Sequence, residues 1–297
     1  MTALETKLAG WTGPSSTTEQ DKQDRTERMI REAINAHKPF ETLSRKIYAK
    51  GSYANNTNVR SDSDVDIAVE CDNVVYHEQA SPGAAPTGTP YTGEWTPANF
   101  RNELIVALRA KFGDDVDTSG TTAIQIHSSS ARVEADVVPC FEYHYYFSET
   151  SFREGAKVYK TDGTALVNYS NQQLTNGRNK NTRTNLAFKR TVRILKRLEN
   201  AMVAADYHRE VPSYFVECLV YNCPDSLFAA RTWTETVKGV LNHIYASLQG
   251  AEPSEDDDRW EEVNGIKFLF HAAQKWTRQD GRDFAEAGWN YLGLGNA

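Results

Sequence analysis

A glycine-serine pair that precedes an Asp-x-Asp motif constrains the fold of this chain more than any other feature. Gly51-Ser52 is followed, after a polar loop, by Asp64-Val65-Asp66, which opens an apolar run typical of a strand. Because alternate residues of a strand point to one face, Asp64 and Asp66 project side by side while Val65 faces a core. The order of these motifs predicts a turn, a loop and a strand that begins with two adjacent carboxylates.

This arrangement has the chemistry that a nucleotidyl-transfer site needs. Two close carboxylates repel each other unless a cation lies between them, and Mg²⁺ prefers oxygen ligands together with substrate phosphates. The turn at Gly51-Ser52 offers backbone N–H groups and a hydroxyl to a phosphate. We interpret the motif as catalytic; the alternative is a solvated, Asp-rich strand end beside a tight turn.

A third carboxylate comes from a later segment that alternates between apolar and polar residues. In the predicted strand at residues 132–139, Val133, Ala135 and Val137 take one face, and Glu134 and Asp136 take the other. If this strand lies beside the strand of Asp64 and Asp66, Asp136 completes a three-carboxylate site. By itself, an aspartate in such a strand is simply part of its polar face.

Composition limits the classes of protein to which the chain can belong. It has 297 residues, 39% hydrophobic and 25% charged, which suits either two lobes around a cleft or one large globular domain. Neither a membrane-spanning apolar run nor a signal peptide is recognisable, so we expect a cytoplasmic location and no membrane partner. The formal net charge of −7 argues against a protein that coats nucleic acid. The four cysteines lack zinc spacing, which favours reduced, buried thiols.

Local patterns predict strands and helices in the N-terminal half and a mostly helical C-terminal half. Ser16-Thr17-Thr18-Glu19 fits a capping box, and Thr96-Pro97 fits an N-cap followed by proline in the first turn. The predicted helices cover residues 16–37, 96–112, 184–202, 212–220 and 280–292, and the other predicted strands cover residues 46–49, 64–70 and 123–127.

The predicted helix at residues 184–202 has an apolar face and a basic face. Residues three, four and seven positions apart share a face of a helix. The basic face carries Lys189, Arg193 and Lys196. It is either an ordinary solvated face or, in an acidic protein, a binding surface for a triphosphate.

With these residues in place, the chain resembles the bacterial cGAS/DncV-like nucleotidyltransferases (CD-NTases), and among them the clade E enzymes. The resemblance runs from Thr17 to the last helix. The motifs that carry it are Gly51-Ser52-Tyr53, Asn56-Thr57-Asn58-Val59-Arg60, Asp62-Ser63-Asp64-Val65-Asp66, Ala135-Asp136-Val137-Val138, Val167-Asn168-Tyr169, Asn176-Gly177, Lys180-Asn181 and the segment from Pro212-Ser213-Tyr214 to Cys223-Pro224-Asp225.

The resemblance implies an α+β fold in which a polymerase β-like nucleotidyltransferase core, a mixed sheet with helices, joins a C-terminal helical lobe. The core would cover residues 1–165 and the lobe residues 166–297, with the active site in the cleft between them. It also implies a Mg²⁺-dependent cyclic oligonucleotide synthase. Such an enzyme makes a second messenger in CBASS antiphage defence from nucleoside triphosphates and needs no long nucleic acid.

The resemblance also implies roles for individual residues. Two Mg²⁺ ions, which Mn²⁺ can replace, would be held by Asp64, Asp66 and Asp136. Donor phosphates would contact Gly51, Ser52, Lys196 and Ser213, a base would stack on Tyr214, and Lys189 and Arg193 would join through the shared helix face.

Asn168 matches a position at which clade E enzymes that use uridine carry asparagine, so the resemblance implies UTP and ATP as substrates and a 3′,3′-linked cyclic UMP–AMP or cyclic di-UMP as product. The alternative role for Asn168 is that of a turn residue before Tyr169. Clade members usually have proline after the Asn-Tyr pair, whereas this chain has Ser170.

Three other interpretations remain open. One is a template-independent RNA nucleotidyltransferase, which would need a basic track for the RNA strand. Another is a catalytically inactive regulator that binds nucleotides. The third concerns partners: CBASS accessory proteins could act on the tail Gly295-Asn296-Ala297, although short termini are usually frayed ends.

Overall fold

Seven strands form one mixed sheet within the residues that the computed structural model describes, which are 1–14, 16–59 and 64–295. The central pair, β2 and β5, is parallel, and all other pairs are antiparallel. The strand order is β1-β2-β5-β4-β3, and β6 pairs with both β5 and β7. The strands are β1 Arg45–Lys50, β2 Val65–Gln79, β3 Val116–Asp117, β4 Ile124–Ile126, β5 Ala135–Ser148, β6 Ser151–Tyr159 and β7 Ala165–Asn168.

The described residues also form α-helices. Their bounds are α1 Ala3–Gly10, α2 Thr17–Asn35, α3 Gly51–Ala54, α4 Pro97–Phe112, α5 Ser170–Arg183, α6 Ala187–Ala204, α7 Ser213–Tyr221, α8 Trp233–Ser247 and α9 Arg278–Tyr291. In the described residues, none of these helices is both long enough and apolar enough to cross a membrane. The mixed sheet and the helical second half confirm the predicted fold class.

The predicted helix starts are confirmed at the two capping motifs. The Ser16 hydroxyl accepts a hydrogen bond from the backbone N–H of Glu19 (3.3 Å), and α2 begins at the next residue. Thr96 accepts in the same way from Asn99 (3.2 Å), with Pro97 as the first residue of α4. Both caps satisfy helix N–H groups that have no partner within the helix, so these starts are fixed locally.

The largest boundary differences arise from neighbouring structure. Strand β2, predicted to end at residue 70, continues to Gln79 because its second half pairs with β5. The strand predicted at residues 132–139 begins at Ala135 and continues to Ser148, because β6 pairs along its second half. The helix predicted from residue 184 begins at Ala187 instead. Asn185 and Leu186 have positive φ angles of 49° and 65°, a left-handed conformation that separates α5 from α6.

The chain divides into two units, which we call the sheet unit (residues 16–54 and 64–170) and the helical unit (residues 1–14, 55–59 and 171–295). This division differs from the predicted domains 1–165 and 166–297 at the N-terminus, in the short segment 55–59 and at residues 166–170, which belong to the sheet unit. Leu8 is fully buried in the core of the helical unit, which explains why α1 belongs to it. Such long-range packing leaves no local pattern in the sequence.

The two faces of the sheet differ in chemistry. Alternate residues of β2, such as Val65, Ile67 and Val69, are fully buried and pack with Phe100 and Leu104 of α4. The opposite face has a small apolar layer of Ala68, Val138, Cys140, Ala156 and Val158. Asp66 and Glu70 lie on this second face, since they alternate with the buried residues of β2.

Candidate active site

Gly51 lies directly against the carboxylate of Asp66. Strand β1 ends at Lys50, and Gly51 follows with a φ angle of 67°, a conformation that favours glycine. A Cβ atom at this position would lie 2.2 Å from Asp66 Oδ2 and 3.1 Å from its Cγ. The Gly-Ser turn and the Asp-x-Asp motif are therefore in contact, and only glycine fits between them.

Tyr53 holds the turn that carries Ser52. Its hydroxyl donates to Asp24 Oδ1 (2.5 Å) and lies 3.3 Å from Glu27 Oε2, both on α2. Burial and these carboxylates raise the pKa of Tyr53, so the phenol stays protonated and continues to donate. Sequence analysis did not assign this role to Tyr53; the only available signal was the acidic pair spaced three residues apart on the polar face of α2.

Asp66 and Asp136 are direct neighbours across the parallel pair β2 and β5. Lys50, which pairs with Asp66 across β1 and β2, donates from Nζ to Asp66 Oδ1 (3.3 Å). Burial raises the pKa of the Asp136 carboxyl, the negative charges of Asp66 and Glu134 raise it further, and Lys50 opposes the shift. The predicted adjacency of Asp136 to the Asp-x-Asp strand is confirmed by this register.

Asp64 immediately precedes β2 and is exposed, while the backbone N–H of Val65 donates to Glu134 O (3.0 Å). In the described part of the chain, Asp64, Asp66 and Asp136 do not form a group whose ligand atoms all lie within 4.8 Å of one another. Like charges at such separations repel, and Lys50 already holds Asp66. Joint use of the three carboxylates as metal ligands stays a prediction.

A second acidic group, on the same face of the sheet, does bring three carboxylates close together. Among the described residues, Glu70, Asp72 and Glu142 have carboxylate oxygens within 4.8 Å of one another and could bind a metal ion. The Lys46 ammonium lies 3.2, 3.4 and 3.7 Å from oxygens of these three side chains. Although burial disfavours the ammonium, the three carboxylates raise the pKa of Lys46. Lys46 therefore supplies the positive charge that a metal would supply there.

The raised pKa of Asp136 predicts a pH-dependent stability effect. The pKa of the Asp136 carboxyl is higher in the folded than in the unfolded chain, so its ionised form destabilises the folded protein. This loss of stability is complete above the folded-state pKa, and it disappears below the unfolded-state pKa of about 3.9. We expect Asp136→Asn to raise the melting temperature at pH 7 in EDTA, with the gain shrinking as the pH falls towards 4. Thermal melts at both pH values measure it, and a lower melting temperature than wild type at pH 7 would contradict it.

Asn168 is the last residue of β7 and is partly exposed. It pairs with Ala156 of β6, which pairs with Glu142 of β5. Paired residues share a face of the sheet, and Glu142 is an even number of residues from Asp136. Asn168 therefore lies on the sheet face that carries Asp66 and Asp136, on β7, which joins the sheet through β6.

Gly155 makes room for the residue that follows Asn168. A Cβ atom on Gly155 would lie 2.9 Å from Cε1 of Tyr169 and 2.9 Å from Cγ1 of Val167. The side chains on either side of Asn168 thus pack directly onto β6. This contact anchors the backbone on both sides of Asn168 to β6. Recognition of a base by Asn168 stays a prediction.

The predicted basic face of α6 is buried rather than solvated. Lys189, Arg193 and Lys196 each lie in the helical unit with less than a tenth of their surface exposed. Arg193 donates from Nε to Thr12 O and from Nη1 to Asn56 O, both at 2.6 Å. Burial lowers the pKa of Lys189. Segments 1–14 and 55–59 contact Arg193 and Lys196, so the alternative of an ordinary solvated face is wrong. The role of this face in binding a triphosphate stays a prediction.

Lys196 belongs to a buried polar network that sequence analysis missed. Its Nζ lies 3.2 Å from Glu217 Oε2 and donates to Thr57 Oγ1 (3.3 Å), and both charged side chains are at most 2% exposed. Thr57 donates to Glu217 Oε2 (2.8 Å), and Asn55 Nδ2 donates to Glu217 Oε1. The network gives Lys196 a structural role, while its contact with a triphosphate stays a prediction.

Removing the Lys196 charge should destabilise the protein strongly. Breaking one partner of a buried ion pair leaves an uncompensated charge and costs about 3–5 kcal/mol. We expect Lys196→Met to lower the free energy of unfolding by that amount in urea titrations. The matched control is Lys111→Met, because Lys111 pairs with Glu32 at the surface (2.5 Å) and should change stability little. Equal losses in the two variants would contradict a special role for the buried pair.

Ser213 and Tyr214 begin α7 in the helical unit. Ser213 is exposed. The Tyr214 hydroxyl donates to Glu262 Oε2 (3.2 Å), and its ring meets Trp276 edge-on at 6.5 Å between centroids. Burial, with the nearby Cys218 and Glu262, raises the pKa of Tyr214. Tyr214 therefore has partners within its own unit, and its stacking on a base stays a prediction.

Several residues of the motifs fall outside the part of the chain that the structure describes. They are Arg60, Asp62 and Ser63, which precede β2 in the sequence, and Asn296 and Ala297 at the end of it. The expected action of accessory proteins on the tail therefore receives no structural test.

Comparisons with known families match both halves of the chain. Residues 28–158 match the nucleotidyltransferase domain, and residues 175–293 match the cGAS/DncV-like nucleotidyltransferase C-terminal helical domain. These ranges contain the Gly51–Asp66 contact in the first case and the Lys196–Glu217 pair in the second.

Individual relatives match over nearly the whole length. The cyclic dipyrimidine nucleotide synthase CdnE of Legionella pneumophila is 35% identical over 288 residues, which cover 95% of each chain. The Rhodothermus marinus CdnE c-UMP-AMP synthase, solved with Apcpp and Upnpp, superposes with a TM-score of 0.83 at 28% identity and covers 99% of this chain and 98% of its own. The Elizabethkingia meningoseptica CdnE cyclic dinucleotide synthase, solved with GTP and Apcpp, superposes with a TM-score of 0.80 at 32% identity. It covers 97% of this chain and 98% of its own. The chain belongs to the cGAS/DncV-like nucleotidyltransferases, within their CdnE group.

Proposed function

We propose that this protein synthesises a 3′,3′-linked cyclic dinucleotide with at least one uridine, cyclic UMP–AMP or cyclic di-UMP, from nucleoside triphosphates and releases pyrophosphate. The observation that carries the proposal is the contact of Gly51 with Asp66, next to Asp136 in register. Phosphate-binding backbone and carboxylates thereby lie side by side, which is the arrangement that phosphoryl transfer requires.

The donor set suits hard divalent cations. Asp64, Asp66 and Asp136 would hold two Mg²⁺ ions, which Mn²⁺ can replace, because all three offer carboxylate oxygens. The repulsion that raises the pKa of Asp136 beside Asp66 is the kind that a cation relieves. When bound, the ions would neutralise the triphosphate and lower the pKa of the acceptor 3′-hydroxyl.

The residues of the chain itself would position the reactants. Backbone N–H groups at Gly51 and Ser52 would hold the donor phosphates, and Lys50 would add a positive charge beside Asp66. The raised pKa of Asp136 makes it a better proton acceptor for the 3′-hydroxyl than an ordinary aspartate. The second attack, which closes the ring, would use the same groups after the linear intermediate turns over.

Base choice would depend on Asn168. Its amide can donate and accept, so it can read the uracil edge. Its place on the sheet face that carries Asp66 and Asp136 supports this role. The Legionella relative is named a dipyrimidine synthase and the Rhodothermus structure contains Upnpp, whereas the Elizabethkingia structure contains GTP. We further propose that the product is a CBASS second messenger in the bacterial cytoplasm, with accessory proteins acting on the tail.

Incubation with each pair of the four nucleoside triphosphates and Mg²⁺ tests the proposal. Phosphatase treatment and mass spectrometry of the product then report base composition and ring size. We expect a phosphatase-resistant cyclic dinucleotide that appears only when UTP is present. Linear products that require an RNA primer would instead indicate an RNA nucleotidyltransferase, and nucleotide binding without pyrophosphate release would indicate an inactive regulator.

Replacing Asn168 should change which base is incorporated. We expect Asn168→Ala to reduce uridine incorporation roughly tenfold, because the lost amide leaves the uracil edge without its partners. Competition between equimolar UTP and ATP, read by mass spectrometry, measures the shift. Asn171→Ala is the control, since Asn171 is an exposed asparagine near the start of α5. An unchanged ratio in the Asn168 variant would remove Asn168 from base recognition.

A further inference from the structure

A cavity of about 480 Å³ lies entirely within the helical unit and uses none of the residues proposed for catalysis. Its wall includes Arg183 at the end of α5, Arg190 in the first turn of α6 and Arg231 just before α8. Phe228 and Trp233 add aromatic surface. The volume falls within the range of roughly 300–1,000 Å³ that is typical of small-molecule sites.

The charges around this cavity are unbalanced. The carboxylate in its wall, Asp225, is already held by Lys180 Nζ (2.7 Å) and Arg183 Nε (2.8 Å). In residues 1–14, 16–59 and 64–295, no hydrogen bond or ion pair joins Arg190 or Arg231 to another side chain or carbonyl. Two exposed guanidinium groups thus line one cavity without a counter-ion, in a chain of net charge −7.

The start of α8, beside this cavity, is not available to a ligand. The Glu5 carboxylate accepts from the backbone N–H groups of Trp233 (2.9 Å) and Thr234 (2.8 Å). The anion-binding capacity of the cavity therefore rests on guanidinium groups and not on a helix terminus. Burial, with the positive charges of Arg197 and Arg190, also lowers the pKa of the adjacent Arg193 to about 10, which reflects the positive field on this part of α6.

We propose that this cavity is a second ligand site, which binds a small phosphorylated molecule through Arg190 and Arg231. A planar guanidinium matches two phosphate oxygens at once, and two such groups suit a phosphate ester or a short polyphosphate. The aromatic wall can accept a base, so the phosphate can come from a nucleotide or from free polyphosphate. The site does not depend on the proposed catalytic activity.

Isothermal titration of the full-length protein with UMP and with inorganic pyrophosphate, in EDTA to suppress metal-dependent binding, tests this site. The test variant is Arg190→Ser/Arg231→Ser. The matched control is Arg25→Ser/Arg28→Ser, which removes two exposed arginines of α2 and changes the net charge equally. We expect at least one probe to bind wild type and the control alike and to bind the test variant roughly tenfold more weakly. Thermal melts verify that each variant is folded.

The two probes distinguish the sources of the phosphate. Tighter binding of UMP than of pyrophosphate indicates a nucleotide that uses the aromatic wall, and the reverse indicates free polyphosphate; either supports the site. Binding of neither probe to wild type, or equal binding to wild type and to the test variant, overturns the proposal. It is also overturned if only a long RNA binds, in a manner that depends on Arg190 and Arg231, because the ligand is then a nucleic-acid backbone.

Discussion

Asp66→Asn and Asp136→Asn should each reduce cyclic dinucleotide synthesis by roughly a thousandfold or more. Asparagine keeps the shape of aspartate but removes the negative charge that a divalent cation needs from its ligand. The two residues are register neighbours on parallel strands, so loss of either disrupts the same group. Pyrophosphate release and mass spectrometry of the product measure the loss, and thermal melts verify that each variant is folded.

Asp72→Asn is the matched control for these variants. It makes the same chemical change on the same strand, in the acidic group of Glu70, Asp72 and Glu142 that Lys46 neutralises. We expect this variant to retain activity close to that of wild type. If Asp72→Asn abolished synthesis while Asp66→Asn did not, the metal centre would belong to the second acidic group and the proposed site would be wrong.

Gly51→Ala should reduce activity by roughly a hundredfold or more, because it displaces a catalytic carboxylate. The new Cβ would lie 2.2 Å from Asp66 Oδ2, so the Asp66 carboxylate must leave its present position beside Lys50 and Asp136. The φ angle of 67° adds backbone strain of about 1–2 kcal/mol. Steady-state kinetics with UTP and ATP, compared with the melting temperature, measures both effects.

Backbone strain alone does not explain this expected loss, and Gly250→Ala separates the two causes. Gly250 has a similar φ angle of 71°, but a Cβ atom there meets no other atom within 4 Å. We expect Gly250→Ala to lose a comparable amount of stability and to keep its activity. Equal losses of activity in the two variants would mean that strain, and not the contact with Asp66, disables the enzyme.

Local patterns in the sequence were sufficient to predict the helices and strands that carry the candidate site. The caps at Ser16 and Thr96 start α2 and α4 where the sequence predicts, since each cap depends on residues three positions apart. The apolar alternation that follows Asp64 predicts β2, and the alternation around Asp136 predicts a strand that the structure places beside it. The Gly-Ser and Asp-x-Asp motifs thus indicated nucleotidyl transfer by themselves.

The contacts between distant residues were decided by the tertiary structure. Thr57 and Glu217 are 160 positions apart, yet they share the buried network that holds Lys196. Arg193 donates hydrogen bonds to the carbonyls of Thr12 and Asn56. The basic face of α6 is therefore buried in the interior of the helical unit. Periodicity identifies the residues that share a helix face but not the segment that covers it, because a side chain's environment depends on the whole chain.

The sequence by itself determined the reaction class, the starts of α2 and α4 and the strand that carries Asp66, because each of these is encoded by residues close together in the chain. Only the tertiary structure decided that Asp66 contacts Gly51, that Lys46 neutralises a second acidic group, and that Arg190 and Arg231 line one cavity. These features depend on pairing register and on packing between remote segments. Burial and charge balance are properties of the folded chain, and a local pattern does not contain them.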